Sequence, residues 1–344
     1  MRFTLHIAPR FGVLAIAVLL VAAVPCAQAT GSIVVWGDDR AREVSNAPKG
    51  SDFIDISAGG AFGLALRSDG SLKAWGQNDA GQVSSTPKTG SFVAISAGYH
   101  SGYALRSDGS IAAWGSDSYG QVSQTPTGHD FKMVSGGGVH GVALRLDGSL
   151  VSWGDRGYGQ LNTPTGNDFV AVDATAIGSL ALRSDGSVVF WGYHYGVPPT
   201  DHGFVKINGG QGSAIAMRPD GSFAIWGVED YGGHYTCTVT CAPKGPGFVD
   251  AVAGYTFGGL ALRANGSLVG WGVDPVFGSN TTAMTPTGRG FEAIDRSTWA
   301  GYAIHSIPEP ATFALMLLGL AGIGLVARRH QGGAKAGRVT DTRV

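Results

Sequence analysis

Seven tryptophans, each followed by glycine, constrain this chain more than any other feature. Trp36, Trp75, Trp114, Trp153, Trp191, Trp226 and Trp271 lie 39, 39, 39, 38, 35 and 45 residues apart. A steady period of this length marks a repeat architecture, in which each unit buries its faces only against its neighbours. One unit, residues 92–122, reads FVAISAGYHSGYALRSDGSIAAWGSDSYGQV. FVAIS, GYALR and SIAAWG are short apolar or alternating stretches that read as strands, and GQV reads as a weak outer fourth. Asp108-Gly109 between the second and third predicts a two-residue type I′ turn with positive φ at both positions. The same turn recurs at Asp69-Gly70, Asp147-Gly148, Asp185-Gly186 and Asp220-Gly221, with Asn265-Gly266 in the sixth unit. Gly makes up 56 of 344 residues without a collagen period while the apolar share stays at 44%, which fits many tight turns between short strands.

Four short strands in about 40 residues match one propeller blade. Six full units begin at Phe53, Phe92, Phe131, Phe169, Phe204 and Phe248. A seventh begins at Phe291 and stops before any Asp-Gly turn or Trp-Gly pair, whereas residues 32–37 form a third strand with no first or second before it. The two fragments complement each other. The expected fold is therefore all-β: a seven-bladed β-propeller over residues 30–306, closed by the N-terminal strand in the last blade, which removes two free sheet edges. An open solenoid would leave both fragments exposed.

Both ends read as addresses. Residues 1–29 fit a secretory signal peptide: Arg2 and Arg10, the apolar run Val13 to Val24, then Ala27-Gln28-Ala29 as a small-x-small cleavage site. At the other end, Pro308-Glu309-Pro310 precedes the apolar run 311–327, which Arg328 and Arg329 follow. Seventeen apolar or small residues sit at the low edge for a transmembrane helix, and the arginines would hold the far end in the cytoplasm. Residues 307–330 resemble the PEP-CTERM sorting signal, in which a Pro-Glu-Pro triplet, one membrane helix and an Arg cluster are recognised by an exosortase. Members of that family usually stop soon after the arginines, whereas here a polar tail, residues 331–344, follows. The resemblance implies an exported protein, anchored in the inner membrane and then placed in the cell envelope or outside the cell.

The repeats resemble the regulator of chromosome condensation (RCC1) family, whose units carry Gly-Gly-x-x-His-x-x-Ala-Leu before the hairpin and Trp-Gly after it. Gly136-Gly137-Gly138-Val139-His140-Gly141-Val142-Ala143-Leu144, followed by Trp153-Gly154, carries the resemblance, and Ala97-Gly98-Tyr99-His100 is similar with its His one position early. The resemblance spans roughly residues 32–306 and implies a propeller; it does not transfer function. Secreted bacterial members of similar unit length include an enzyme inhibitor.

Between Thr30 and Ile307, 17 bases face 23 acids, a poor match for nucleic acid. The Trp-Gly pairs read as blade-to-blade packing. Arg67, Arg106, Arg145, Arg183, Arg218 and Arg263 recur before the hairpin and read as structural hydrogen-bond donors to the turn region. His100 and His140 have no acid or Cys at ligand spacing, and no hydrolase or phosphate-loop motif is present. No cofactor or metal is expected. Cys237 and Cys241 fall in the 45-residue interval and, in an oxidising compartment, read as a disulfide. The positions before the second strand vary between units and are partly aromatic, so Tyr99, His100, His140, Tyr255, Phe257 and Trp299 are candidate rim residues for a partner. The expected function is a non-enzymatic binding scaffold for a protein or polysaccharide. The alternatives are a secreted enzyme inhibitor, or a propeller hydrolase or lyase, which would need carboxylates or His converging on the channel.

Overall fold

A computed structural model describes residues 30–193, 196–210, 212–227, 241–254, 258–272, 284–298 and 300–306. The signal-peptide residues 1–29, Cys237, Tyr255, Phe257, Trp299 and the sorting segment with Pro308, Glu309, Pro310, Arg328 and Arg329 lie outside the described residues.

The described part is all-β and built from repeated three-stranded antiparallel units. β1 is Gly31–Gly37. Then come β2 (Phe53–Ala58), β3 (Phe62–Arg67) and β4 (Leu72–Gly76), followed by β5 (Phe92–Ala97), β6 (Ser101–Arg106) and β7 (Ile111–Gly115). The third and fourth sets are β8 (Phe131–Gly136), β9 (His140–Arg145), β10 (Leu150–Gly154) and β11 (Phe169–Ala174), β12 (Gly178–Arg183), β13 (Val188–Gly192). The fifth and sixth are β14 (Lys206–Gly209), β15 (Ser213–Met217), β16 (Phe223–Gly227) and β17 (Phe248–Ala253), β18 (Gly259–Arg263), β19 (Leu268–Trp271). The chain ends in β20 (Phe291–Arg296) and β21 (Ala300–Ser306). β1 pairs along its whole length with β21, from Gly31 opposite Ser306 to Gly37 opposite Ala300, and so supplies the third strand of that unit. A single bridge, Gly31 to Phe53, links this sheet to β2.

Two local expectations are corrected. The GQV stretches do not form a fourth strand; they lie in turns. Their backbone groups are satisfied locally: Asn78 Oδ1 accepts from the N–H groups of Val83 and Ser84, and Asp117 Oδ1 accepts from those of Val122 and Ser123. The carbonyls of Gln82, Gln121 and Gln160 accept the indole N–H of Trp114, Trp153 and Trp191 in the next sheet, each at 2.9 Å. A segment bonded in this way has no ladder left to offer. The hairpins are not type I′ either, because Gly70 (φ 79°) has positive φ and Asp69 does not. Gly70 N–H donates to the Arg67 carbonyl and Arg67 N–H to the Ser71 carbonyl. That is a type I turn followed by a left-handed glycine, the three-residue hairpin form.

Among the described residues, seven apolar clusters fill the spaces between successive sheets, and each contains one of the seven repeat tryptophans. Each indole reaches onto the preceding sheet: Trp114 packs with Phe62, Leu64 and Leu66, and Trp75 with Tyr302 and Ile304. The residue opposite the tryptophan in its own sheet must be small. A Cβ on Gly141 would lie 2.3 Å from the ring of Trp153, and one on Gly63 would lie 2.4 Å from that of Trp75. The recurrent arginines stack on the phenylalanine that opens their own unit, with Arg183 4.5 Å from the Phe169 centroid and Arg145 4.8 Å from that of Phe131. Arg145, Arg183 and Arg218 also pair with Asp130, Asp168 and Asp201. Their role is thus a cation–π stack and an ion pair beside the strand start, not only bonds to the turn.

Candidate binding face

The first strand of each unit runs from the hairpin side to the opposite side, and short loops return the chain into the second strand. The loops around Gly59-Gly60, Gly98-Tyr99, Gly137-Gly138 and Thr175-Ala176, with Gly210 and Ser297-Thr298, surround one polar cavity of about 100 Å3. Its wall is made by Ser57, Ser96, Ser135, Asp173 and Asp295, each the fifth residue of its first strand, and by Asn208, the third of β14 and the fifth counted from Phe204. Each of these accepts a backbone N–H from the next sheet. Ser57 Oγ takes Ala97 N–H (3.0 Å), Ser96 Oγ takes Gly136 (3.0 Å), and Ser135 Oγ takes Ala174 (3.0 Å). Asp173 Oδ2 takes Gly209 (2.8 Å), Asn208 Oδ1 takes Ala253 (2.7 Å), and Asp295 Oδ2 takes Ala58 (2.9 Å). Val252, at the corresponding place in β17, has no acceptor to offer.

Carboxylates therefore do converge on this cavity, a feature that spacing along the chain did not reveal. Burial pushes Asp295 up to about 7; N–H donation from Ala58 and Arg296 opposes the shift, and the charges of Asp173 and Asp55 reinforce it. Asp173 is likewise raised by burial, against hydrogen bonds from Ser135, Gly209 and Ala174. Asp55, two residues before Ser57, is raised by burial to about 6, with Asp250 adding to the shift and Lys206 opposing it. Asp173 and Asp295 each commit both oxygens to bonds from the protein: Ser135 Oγ and Ala174 on Asp173 Oδ1, Arg296 on Asp295 Oδ1. They stitch strands as Ser57 and Asn208 do. Among the described residues no group of three or more His, Cys, Asp or Glu is placed to hold a metal ion.

Of the sequence-derived rim residues, Tyr99 stands at the cavity edge, with His100 beside it. Tyr99 is half-buried, packs over Gly60 and meets the His100 ring edge-on at 4.4 Å. A Cβ on Gly60 would sit 2.7 Å from that tyrosine ring, so glycine is required for the approach. Partial burial lowers the pKa of His100, with Asp79 opposing. His140 is a correction: it is fully buried, its Nε2 lies 2.8 Å from Ser179 Oγ, and burial drives its pKa down to about 4. It is a neutral hydrogen-bonding residue between sheets and cannot contact a partner. Cys241 is disulfide-bonded, and its expected partner Cys237 lies outside the described residues.

The sequence reading missed the more exposed aromatics of this face. Tyr119, Tyr158 and Tyr193 follow the third strands of three successive sheets and are 53%, 57% and 46% exposed. Tyr158 and Tyr193 meet edge-on across two sheets, with centroids 5.9 Å apart. The parallel runs Tyr119-Gly120-Gln121 and Tyr158-Gly159-Gln160 were the available signal. Buried Glu43 was also missed; it occupies the place of Gln82 and Gln121, and its carbonyl accepts the Trp75 indole N–H at 2.9 Å.

A family described as regulator of chromosome condensation (RCC1) repeat matches residues 53–82 and 92–121, and the PEP-CTERM protein-sorting motif matches residues 306–329. No curated protein sequence matches the chain. Among solved structures, Prp20p from Saccharomyces cerevisiae, described with its binding to Gsp1p and histones, is 16% identical, with TM-score 0.63 over 85% of this chain and 95% of its own. Human WBSCR16 is 15% identical, with TM-score 0.62 over 80% and 99%. The ectodomain of the Arabidopsis thaliana receptor kinase ACR4 is 21% identical, with TM-score 0.58 over 76% and 99%. At these identities the likeness is one of fold.

Proposed function

We propose that this chain, which carries RCC1 repeats and a PEP-CTERM sorting motif, is an exported, non-enzymatic binding protein built as a closed seven-bladed propeller. The sorting motif supports an exported, envelope-associated protein and implies processing by an exosortase-type enzyme. Residues 1–29 would be removed on export, and residues 311–327 would hold the chain in the membrane until processing. Support for closure comes from the pairing of β1 with β21 and from the Asp295 bond to Ala58.

The observation that carries the binding role is the exposed aromatic arc Tyr119, Tyr158 and Tyr193 on the face that surrounds the polar cavity. Aromatic rings in the hydrogen-bonded turns that follow the third strands offer large contact area, and suit either a protein surface or sugar rings. The enzyme alternative is weaker because the cavity carboxylates are already committed to backbone bonds. The test is retention of envelope proteins and polysaccharide on the immobilised exported chain, against a variant with Tyr119, Tyr158 and Tyr193 all changed to Ala. Retention should fall at least about tenfold if the arc supplies a hot spot; equal retention by both forms rejects this face as the binding surface.

A further inference from the structure

The two sides of the propeller differ, and the chain leaves from only one of them. In the complete units the second strand passes into its hairpin turn, whose first residue bonds back to the start of the unit: Ser68 N–H donates to the Asp52 carbonyl, and Ser107 N–H to that of Ser91. Ser306 makes the same bond, to Gly290, while β1 supplies the third strand. The C-terminal exit therefore occupies a hairpin position on the hairpin side. Gly31, opposite Ser306, brings the N-terminus to the same side.

That side also carries the exposed apolar residues that folding does not explain. The register shifts by one residue at the start of the first strands, between Phe92 and Ala94, Phe169 and Ala171, and Phe248 and Asp250. Such a bulge turns the extra residue out of the ladder. Val93, Val170, Val205 and Val249, each second in its unit, are 46–57% exposed. Leu146, in the hairpin turn of the third unit, is 64% exposed. Lys132 and Glu292 stand at the same position in other units, so the site accepts charge. The four valines stand at or next to the starts of their units' first strands, on the hairpin side.

We infer that these valines rest on the surface of the membrane in which the sorting segment is inserted, so that the tyrosine face points away from the bilayer. The occupant follows from the length and exit of the chain. Only residues 307–310 separate Ser306 from the apolar run that begins at Ala311. Four residues span at most about 14 Å, whereas the tyrosine face is a six-residue strand further away, roughly 20 Å. An apolar patch held within that reach gains from partitioning into the bilayer interface. The inference rests on the reading of residues 306–329 as a membrane-inserted signal.

The test uses the full chain in vesicles of phosphatidylethanolamine and phosphatidylglycerol, with an environment-sensitive probe on Val170→Cys, Val205→Cys or Tyr158→Cys and a head-group spin label as quencher. The probes at Val170→Cys and Val205→Cys should be quenched at least about twofold more than that at Tyr158→Cys. Changing Val93 and Val249 to Ser should reduce that difference while the chain still resists alkaline extraction. Equal quenching on both sides in an extraction-resistant chain overturns the docking while leaving the anchor intact. A chain that is extracted overturns the anchor and the docking together. Protection of the valine probes that needs a second copy of the chain and no lipid overturns it in favour of self-association.

Discussion

Replacing Glu43 by Gln should stabilise the protein at neutral and alkaline pH and leave it unchanged in acid. Glu43 is fully buried, its Oε1 accepts the Tyr302 hydroxyl, and its Oε2 has no partner. Burial raises its carboxyl from the usual 4.5 to about 7, against hydrogen bonds from Tyr302 and Ser297 and with help from the charges of Asp38 and Asp39. A carboxyl raised on folding contributes stability that is complete below the unfolded value, and loses it as pH rises through the folded one. The wild-type chain should lose roughly 3 kcal/mol between pH 4.5 and 7 through this residue alone, at about 1.4 kcal/mol for each pH unit. Glutamine, which the corresponding turns carry as Gln82, Gln121 and Gln160, keeps the shape without the charge. Thermal unfolding of both forms from pH 4.5 to 8 measures the difference, in which Asp295 and Asp55 cancel because both forms retain them. The gap should open from near zero to about 5–10 °C for a domain of this size. A gap that is constant with pH would refute the assignment of a buried, reluctantly ionised Glu43.

Other substitutions separate packing from recognition. Gly141→Ala should cost about 2 kcal/mol or more by displacing the Trp153 indole, which lies where the new methyl would sit; equilibrium denaturation checks it. Trp153→Ala should cost about 3–5 kcal/mol by opening a cavity between two sheets. Asp295→Asn keeps an acceptor for Ala58 N–H and should remove the fall in stability that the native aspartate causes between about pH 4 and 7. Tyr158→Ala and Tyr193→Ala, both on exposed side chains, should leave the melting temperature within about 1 °C while weakening partner retention.

Much of the fold was legible because its signals are local and repeated. The tryptophan period located the units, and the orphan strand at residues 32–37 pointed to its partner, which is β21. The GQV turns were misread because their alternation is that of a strand, and their actual bonds go to a tryptophan one unit away, Gln82 to Trp114 among them. The hairpin was misread because Asp-Gly serves two turn types, and the longer one is fixed by the Arg67 to Ser71 bond rather than by the dipeptide. The face was only partly legible. Tyr99 and His100 sit in variable loops that announce themselves, but the meeting of Tyr158 with Tyr193 depends on neighbouring sheets. Asp173 and Asp295 share a cavity only because distant first strands surround the same space. His140 matches the family motif, yet its burial is a property of the packed sheets.

The shared sheet of β1 and β21 also sets a timetable for biogenesis. Gly37 finds its partner only at Ala300, at the far end of the described chain. During N-to-C synthesis and export the first strand must stay unpaired while six units pass, and a contact of such sequence separation is slow to form. The last unit can be assembled only when residues 300–306 have crossed, which is when the sorting motif at 306–329 arrives behind them. Completion of the fold and presentation of the sorting signal are thereby bound to one event, and a chain truncated before β21 would carry neither.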